Sequence, residues 1–326
     1  MRLSLYDADL NRISIIGEHF VSCLWAEGYN TCERFSLELH DTKEHRQKVR
    51  PDFYVGRDDR NTLMVIKTVE IKNGKIVATG FQATRVLDDC SFIGTIRDGA
   101  DLDTAMKNAY NSSDGVKNVS YRSTGLLATS ENQVSNKSFL ELSKSILQPA
   151  DVGFRIVREK GELFYELYKP EENPNLILSV DYGNLNLKSI VLSSQNFKNY
   201  VIVLGEGEGA TRTRVDVDLT HGEDRRDLIV DARDLQREEG ETESNYLDRL
   251  KERGIGEILA RQKTWECLFS PISNDFGKRF DIGDIVTVRL REHGLSFKAR
   301  ISRFTEKAQD NKKTTNVEVG QITITR

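Results

Sequence analysis

The chain has 326 residues, 38% of them hydrophobic and 30% charged, a composition that excludes a disordered chain and suits a well-hydrated folded one. Its length points to roughly two to four compact units. A net charge of -4 and a pI of about 5.9 exclude the clear basic excess of a generic nucleic-acid binder.

Residues 1–87 read as β, with strands predicted at Arg2–Tyr6, Arg12–Ile16, Phe20–Trp25, Arg34–Leu39, Leu63–Ile71 and Ile76–Arg85. In Phe35-Ser-Leu-Glu-Leu39 apolar and polar positions alternate, as in a half-buried strand. Lys72-Asn-Gly-Lys75 predicts a two-residue hairpin, because Asn-Gly accepts the positive φ of a type I′ turn. Many short strands in this length suggest a small barrel. Residues 88–135 read as a connector with little core of its own, carrying a short helix near Asp101–Tyr110.

Residues 136–175 predict an inserted α/β module. Ser138 with Glu141 makes a capping-box pattern, Phe139, Leu142 and Ile146 recur at helical spacing, and Pro149 stops the helix. A second hairpin crosses Glu159-Lys-Gly161, between Phe154–Arg158 and Leu163–Tyr168. Residues 176–241 read as a β-rich segment completing a second barrel, with strands at Leu176–Val180, Leu185–Ser193, Tyr200–Leu204 and Thr211–Leu219. Residues 242–263 predict a helical arm, broken at Gly254-Ile-Gly256, and residues 264–326 the C-terminal barrel strands. The fold class is therefore mainly β with α+β parts: two β-barrel-like domains with an inserted α/β module and a helical arm.

No catalytic, cofactor-binding or metal-ligating residue is singled out. The loop with Gly205, Gly207 and Gly209 follows an apolar strand, but Thr211–Asp218 after it alternates like a strand. A phosphate cradle needs a helix N-terminus at that point, so the loop reads as a hairpin connection. Asp275-Phe-Gly277 matches a kinase triplet without its companion motifs. Asp227, Asp231 and Asp234 could share a helix face, but the interleaved Arg225, Arg226, Arg233 and Arg237 predict ion pairs rather than a metal site. The cluster Lys43–Arg50 reads as a solvated loop. His19, His40, His45, His221 and His293 form no ligand pattern, nor do Cys23, Cys32, Cys90 and Cys267. The start Met1-Arg-Leu-Ser-Leu-Tyr-Asp lacks an apolar signal core, and no run of about 18 apolar residues occurs. Folding in a reducing cytoplasm with free thiols is expected, which leaves Asn111, Asn118 and Asn136 without a glycosylation role.

Several segments together resemble a known family. They are Asp181-Tyr-Gly-Asn-Leu185, Phe197–Gly209 with Arg212, Arg225–Leu235, Tyr246–Gly254 and Phe280–Val288; Leu5-Tyr-Asp, Ser14–Gly17 and Ile76–Gly80 with Val86-Leu87 look like its N-terminal barrel. The chain is similar to siphophage or prophage tail-tip baseplate-hub proteins, comparable to the N-terminal region of tail-associated lysins. The resemblance implies a virion structural protein, assembled in the bacterial cytoplasm, in which three copies form a ring at the end of the tail tube. The implied partners are a distal tail protein ring, a tape measure protein and receptor-binding or fibre proteins, with DNA only as cargo and no membrane span. No cofactor is implied. If the gene product ends at Arg326, lytic activity is expected on another protein; a cut chain would leave that open. The mild acidic balance suits passage of DNA without sticking. Two rival readings are a host-surface glycan-binding module, which would need exposed aromatics where Trp25 and Trp265 lie in predicted strands, and a cell-wall hydrolase, which would need a carboxylate pair or zinc set.

Overall fold

Asn73 and Gly74 both take positive φ, 51° and 71°, and turn β6 (Leu63–Lys72) into β7 (Lys75–Gln82) as the type I′ reading requires. Lys160 and Gly161 do the same at φ 49° and 88°. The computed structural model describes the chain except residues 114–117, 239, 272–275, 311, 320–321 and 324–326, and describes only the backbone of 174, 210, 265–271 and 322–323. It divides into two compact units, Met1–Lys188 with Leu268–Gly320, and Ser189–Cys267 with Gln321–Arg326.

In chain order the first run is β1 (Leu3–Tyr6), β2 (Arg12–Gly17), β3 (Ser22–Gly28), β4 (Arg34–His40), helix α1 (Lys43–Lys48), β5 (Tyr54–Arg57), β6 and β7. The cluster read as a solvated loop is thus partly helix: Thr42 caps α1, and Arg46–Asp41 and Lys48–Glu44 pair at 2.6 Å on its solvated surface. Next come β8 (Ser91–Ile96), α2 (Leu102–Ser112), β9 (Val119–Arg122), β10 (Val134–Ser138), α3 (Phe139–Leu147), β11 (Gly153–Glu159) and β12 (Glu162–Tyr168). Asp101 and Ser138 cap α2 and α3 through their side-chain oxygens.

Residues 88–135, read as a connector, are lined with core side chains instead. Phe92, Ile96, Leu102, Met106, Tyr110, Val119 and Val134 are buried with Phe139, Leu142, Ile146 and Tyr165 in one cluster. Tyr165 sits at its centre, stacked on Tyr110 at 5.9 Å and edge-on to Phe139 at 5.4 Å. The missing signal is long-range: β9 pairs parallel with β12, Leu163 opposite Val119, and no local pattern announces that partner.

The chain continues through β13 (Glu172–Ser179), β14 (Leu185–Ser193), β15 (Tyr200–Leu204), β16 (Arg214–Asp218), β17 (Asp227–Asp231) and α4 (Glu243–Leu259). It ends with β18 (Thr264–Pro271), β19 (Ile285–Leu290), β20 (Leu295–Gln309), β21 (Lys312–Val319) and β22 (Ile322–Thr323). One large sheet runs β14-β18-β21-β20-β3-β4-β7-β6-β5-β1-β2, with β19 joining β13 to β20. The early and late strands therefore share a sheet, because β20 pairs antiparallel with β3 from Arg303↔Gly28 to Gln309↔Ser22. Strands make up 47% of the chain and helices 18%, which matches the mainly β class with α+β parts. The large-sheet path stays open among the described residues, and no closed ring of strands is traced there.

The second unit is a three-stranded sheet, β16-β15-β17, under one helix. β15 pairs antiparallel with β16 and parallel with β17. Val201, Val203, Val217 and Val230 point to α4 and meet Tyr246, Leu250 and Ile258. The helix read as an arm broken at 254–256 runs unbroken and is packed. Gly254 is needed there: a Cβ would come within 2.6 Å of Val203 and 3.0 Å of Val201.

Candidate functional site

The alternation of β3 points Cys23, Trp25 and Glu27 into the sheet interior, all 2% exposed or less. Across the β3–β20 pairing, Glu306 of β20 is equally buried. Two carboxylates on the inner face of a sheet need donors, since an unpaired buried charge is costly. Glu27 accepts from Trp25 Nε1 at 2.7 Å, Thr62 Oγ1 at 2.9 Å and Arg60 Nη2 at 2.8 Å. Glu306 is met by Lys313 at 2.9 Å and by Arg57 at 3.5 Å. Arg57 donates its two closest bonds to Asp59, at 2.7 and 2.8 Å, and lies 5.4 Å over the Trp25 ring. Arg57 Nη1 and Glu306 Oε1 are buried without a hydrogen-bond partner.

A cleft of about 310 Å³ opens beside Glu27, lined among others by Arg60, Arg122, Arg158, Glu166 and Asp281. Arg60 bridges Glu27 and Asp281, at 2.8 and 2.9 Å. Burial opposes its cation, but the two carboxylates outweigh that and hold its pKa above the ordinary arginine value. Glu166, 4% exposed, accepts from Arg122 Nε and Arg155 Nε at 2.7 Å each. Arg158 stacks 4.2 Å over Tyr6 and donates to its hydroxyl at 2.9 Å. Burial pushes the Cys23 thiol up to about 12 and the Cys32 thiol up to about 11, so neither is a thiolate at neutral pH. The arrangement orders charged groups: Glu27, Glu166 and Asp281 are each paired with arginines.

Of the sequence candidates, Gly277 of the Asp275-Phe-Gly277 triplet lines this cleft, and the glycine loop and the group of Asp227, Asp231 and Asp234 belong to the second unit. The Gly205–Gly209 loop joins the antiparallel strands β15 and β16, as the hairpin reading holds. Two of its donors serve the chain itself: Gly205 N–H bonds to Thr213 O at 2.8 Å, and Glu206 N–H to the Tyr246 hydroxyl at 2.9 Å. A Cβ at Gly205 would meet that hydroxyl at 2.4 Å, so its glycine admits α4 rather than a phosphate. Asp227 and Asp231 sit on β17, not on a helix, with Asp234 beyond it. Two pair within the predicted charge pattern, Arg225–Asp227 and Arg233–Asp231 at 2.6 Å; Asp234 pairs instead with Arg253 of α4, at 2.9 Å. The hydrogen bonds from Arg233 and then Arg212 hold the Asp231 carboxyl well below the usual range. Asp275 and the Trp265 side chain lie outside the described residues, while Trp25 is fully buried and offers no glycan platform. Among the described residues no group of three His, Cys, Asp or Glu is placed to hold a metal ion, and no helix is long and apolar enough to cross a membrane.

The Glu27 and Glu306 cluster was missed in the sequence. Its one local signal is Glu27 two residues after Trp25, a charge on the inward positions of a strand.

Several solved structures share this fold. A 43 kDa tail protein of prophage MuSo2 from Shewanella oneidensis is 15% identical, with a TM-score of 0.61 and 98% of each chain covered. A tail protein from Neisseria meningitidis MC58 is 11% identical, with a TM-score of 0.61, covering 98% of this chain and 95% of that one. The prophage tail protein gp18 from Listeria monocytogenes EGD-e is 12% identical, with a TM-score of 0.57, covering 98% and 94%. No curated protein matches the chain. The model of the siphovirus ReqiPepy6 Gp37-like proteins matches residues 76–321, and the chain belongs to that family.

Proposed function

We propose that the chain is a structural protein of the phage tail tip, a baseplate hub. The observation that carries this is fold correspondence along whole chains: three prophage or bacterial tail proteins match over 94–98% of their own length. The siphovirus family membership supports it. In this reading three copies form a ring that ends the tail tube. The β segments 1–87 and 264–326, whose strands share the large sheet, build the torus. The ring joins the tube to a distal tail protein ring, a tape measure protein and receptor-binding or fibre proteins, and DNA passes through as cargo. The protein then acts in the virion after assembly in the bacterial cytoplasm, and its role is structural rather than catalytic.

A charge-paired interior fits such a role. Buried arginine–carboxylate pairs specify one arrangement of strands more than they stabilise it, and a ring under load needs one arrangement. Negative-stain imaging of the purified protein, alone and with the distal tail protein, tests the reading. Rings of threefold symmetry are expected; separate particles under both conditions would overturn it.

A further inference from the structure

Residues 276–284 form a strap whose Gly277, Asp281 and Ile282 wall one side of the polar cleft. The strap folds on itself: Gly277 N–H bonds to Phe280 O at 2.8 Å, and Phe276 meets Phe280 edge-on at 5.7 Å. Its far end is tied down by Gly283 N–H to Ile301 O at 2.8 Å, and by Tyr168, whose hydroxyl donates to Ile282 O at 3.2 Å. Between these ends two side-chain contacts tie the strap to the sheet interior, the stacking of Phe276 on Phe304 and the bonds of Arg60. The Arg60 guanidinium lies 5.0 Å over Phe276 and 5.5 Å over Phe304, which stack on each other at 4.2 Å. The same guanidinium bonds to Asp281 on the strap and to Glu27 beneath it, and Glu27 holds the Trp25 indole. Gly277, at φ 76°, leaves room for it, since a Cβ there would stand 3.2 Å from Arg60 Nη1.

We propose that Arg60 is a latch that holds the strap closed as a lid over the cleft and couples it to the buried Glu27–Trp25 pair. One end of the latch is wet and the other dry: Asp281 is 48% exposed and Glu27 2% exposed. The two ends therefore have separable effects. Losing the exposed partner loosens the lid alone; losing the arginine loosens the lid and leaves a buried carboxylate short of a donor. This inference does not depend on the tail-tip role.

Hydrogen exchange across 276–284, with the indole N–H resonance of Trp25 read in a Trp265→Phe background, tests the latch on the full chain. Asp281→Asn is expected to speed strap exchange about threefold, the scale of a partly exposed ion pair, and to leave the Trp25 resonance in place. Arg60→Gln is expected to speed it at least about tenfold and to shift the Trp25 resonance. Strap exchange at the wild-type rate in Asp281→Asn would overturn the latch, even if Arg60→Gln failed to fold. Equal acceleration in the distant β6–β7 hairpin would overturn it too, by showing general loosening.

Discussion

The inner faces of β3 and β20 and the inner face of β15 and β16 follow the same strand alternation but bury different chemistry. In the second unit the inward positions are valines, closed by Tyr246, Leu250 and Ile258 of α4. In the large sheet the inward rows carry Glu27 and Glu306 among Trp25, Cys23 and Phe304, and arginines from the β5–β6 region are drawn in to meet them. The valine core is stabilised by area removed from water, an effect with no directional requirement. The charged core is stable only with its partners in register, so its worth lies in specifying one pairing. Their responses to substitution should therefore differ in kind as well as size.

The largest effect is expected at Glu27. Glu27→Leu strands the Trp25, Thr62 and Arg60 donors together, and should cost about 3–5 kcal/mol in denaturant unfolding followed by large-sheet amides. A cost near that of an ordinary surface change would remove the contrast between the cores. Leu250→Ala in the valine unit should cost about 2–5 kcal/mol through its cavity, read from the amides of β15 and β16. On the same helix two glycines sharpen the packing argument. Gly254→Ala drives a methyl into Val201 and Val203; overpacking of about 1–3 kcal/mol exceeds the gain of about 1 kcal/mol in helix propensity, so it should destabilise. At Gly256 a Cβ meets nothing within 4 Å, and Gly256→Ala should stabilise by about 0.5–1 kcal/mol. The same sign at both positions would contradict the docking of α4 on the sheet.

The smallest effect concerns surface charge. The Asp231 carboxyl is depressed by Arg233 and Arg212. Its contribution to stability is therefore full above the ordinary carboxyl pKa of about 3.9, and is lost as the pH falls through the lower folded value. A carboxyl NMR titration should show Asp231 still ionised when unpaired aspartates are half protonated. Titration with them would show its arginine bonds to be open in solution.

Short-range chemistry was the legible part of the fold. Asn73-Gly74 and Lys160-Gly161 name their turns, and Ser138 names a helix start, because each effect acts within a few residues. The helix-face alternative for Asp227 and Asp231 has an arithmetic cause. A spacing of four is even, so it fits one strand face as well as a helix face, and only Leu228 and Val230 between them separate the two. The core of 88–135 and the parallel pairs β9–β12 and β15–β17 depend on partners distant in sequence. For the cleft, single residues such as Glu27 and Arg60 were visible, but Glu27 is on β3 and Arg60 in the β5–β6 connection, strands that are not neighbours in the sheet, so their meeting is long-range.

The hub reading rests on assembly, and the solution mass tests it most directly. Light scattering over a concentration series, with and without the distal tail protein, should give a mass for this chain of three times 37.1 kDa, 3 × 37.1 = 111.3 kDa. A mass of 37.1 kDa at every concentration under both conditions would contradict it.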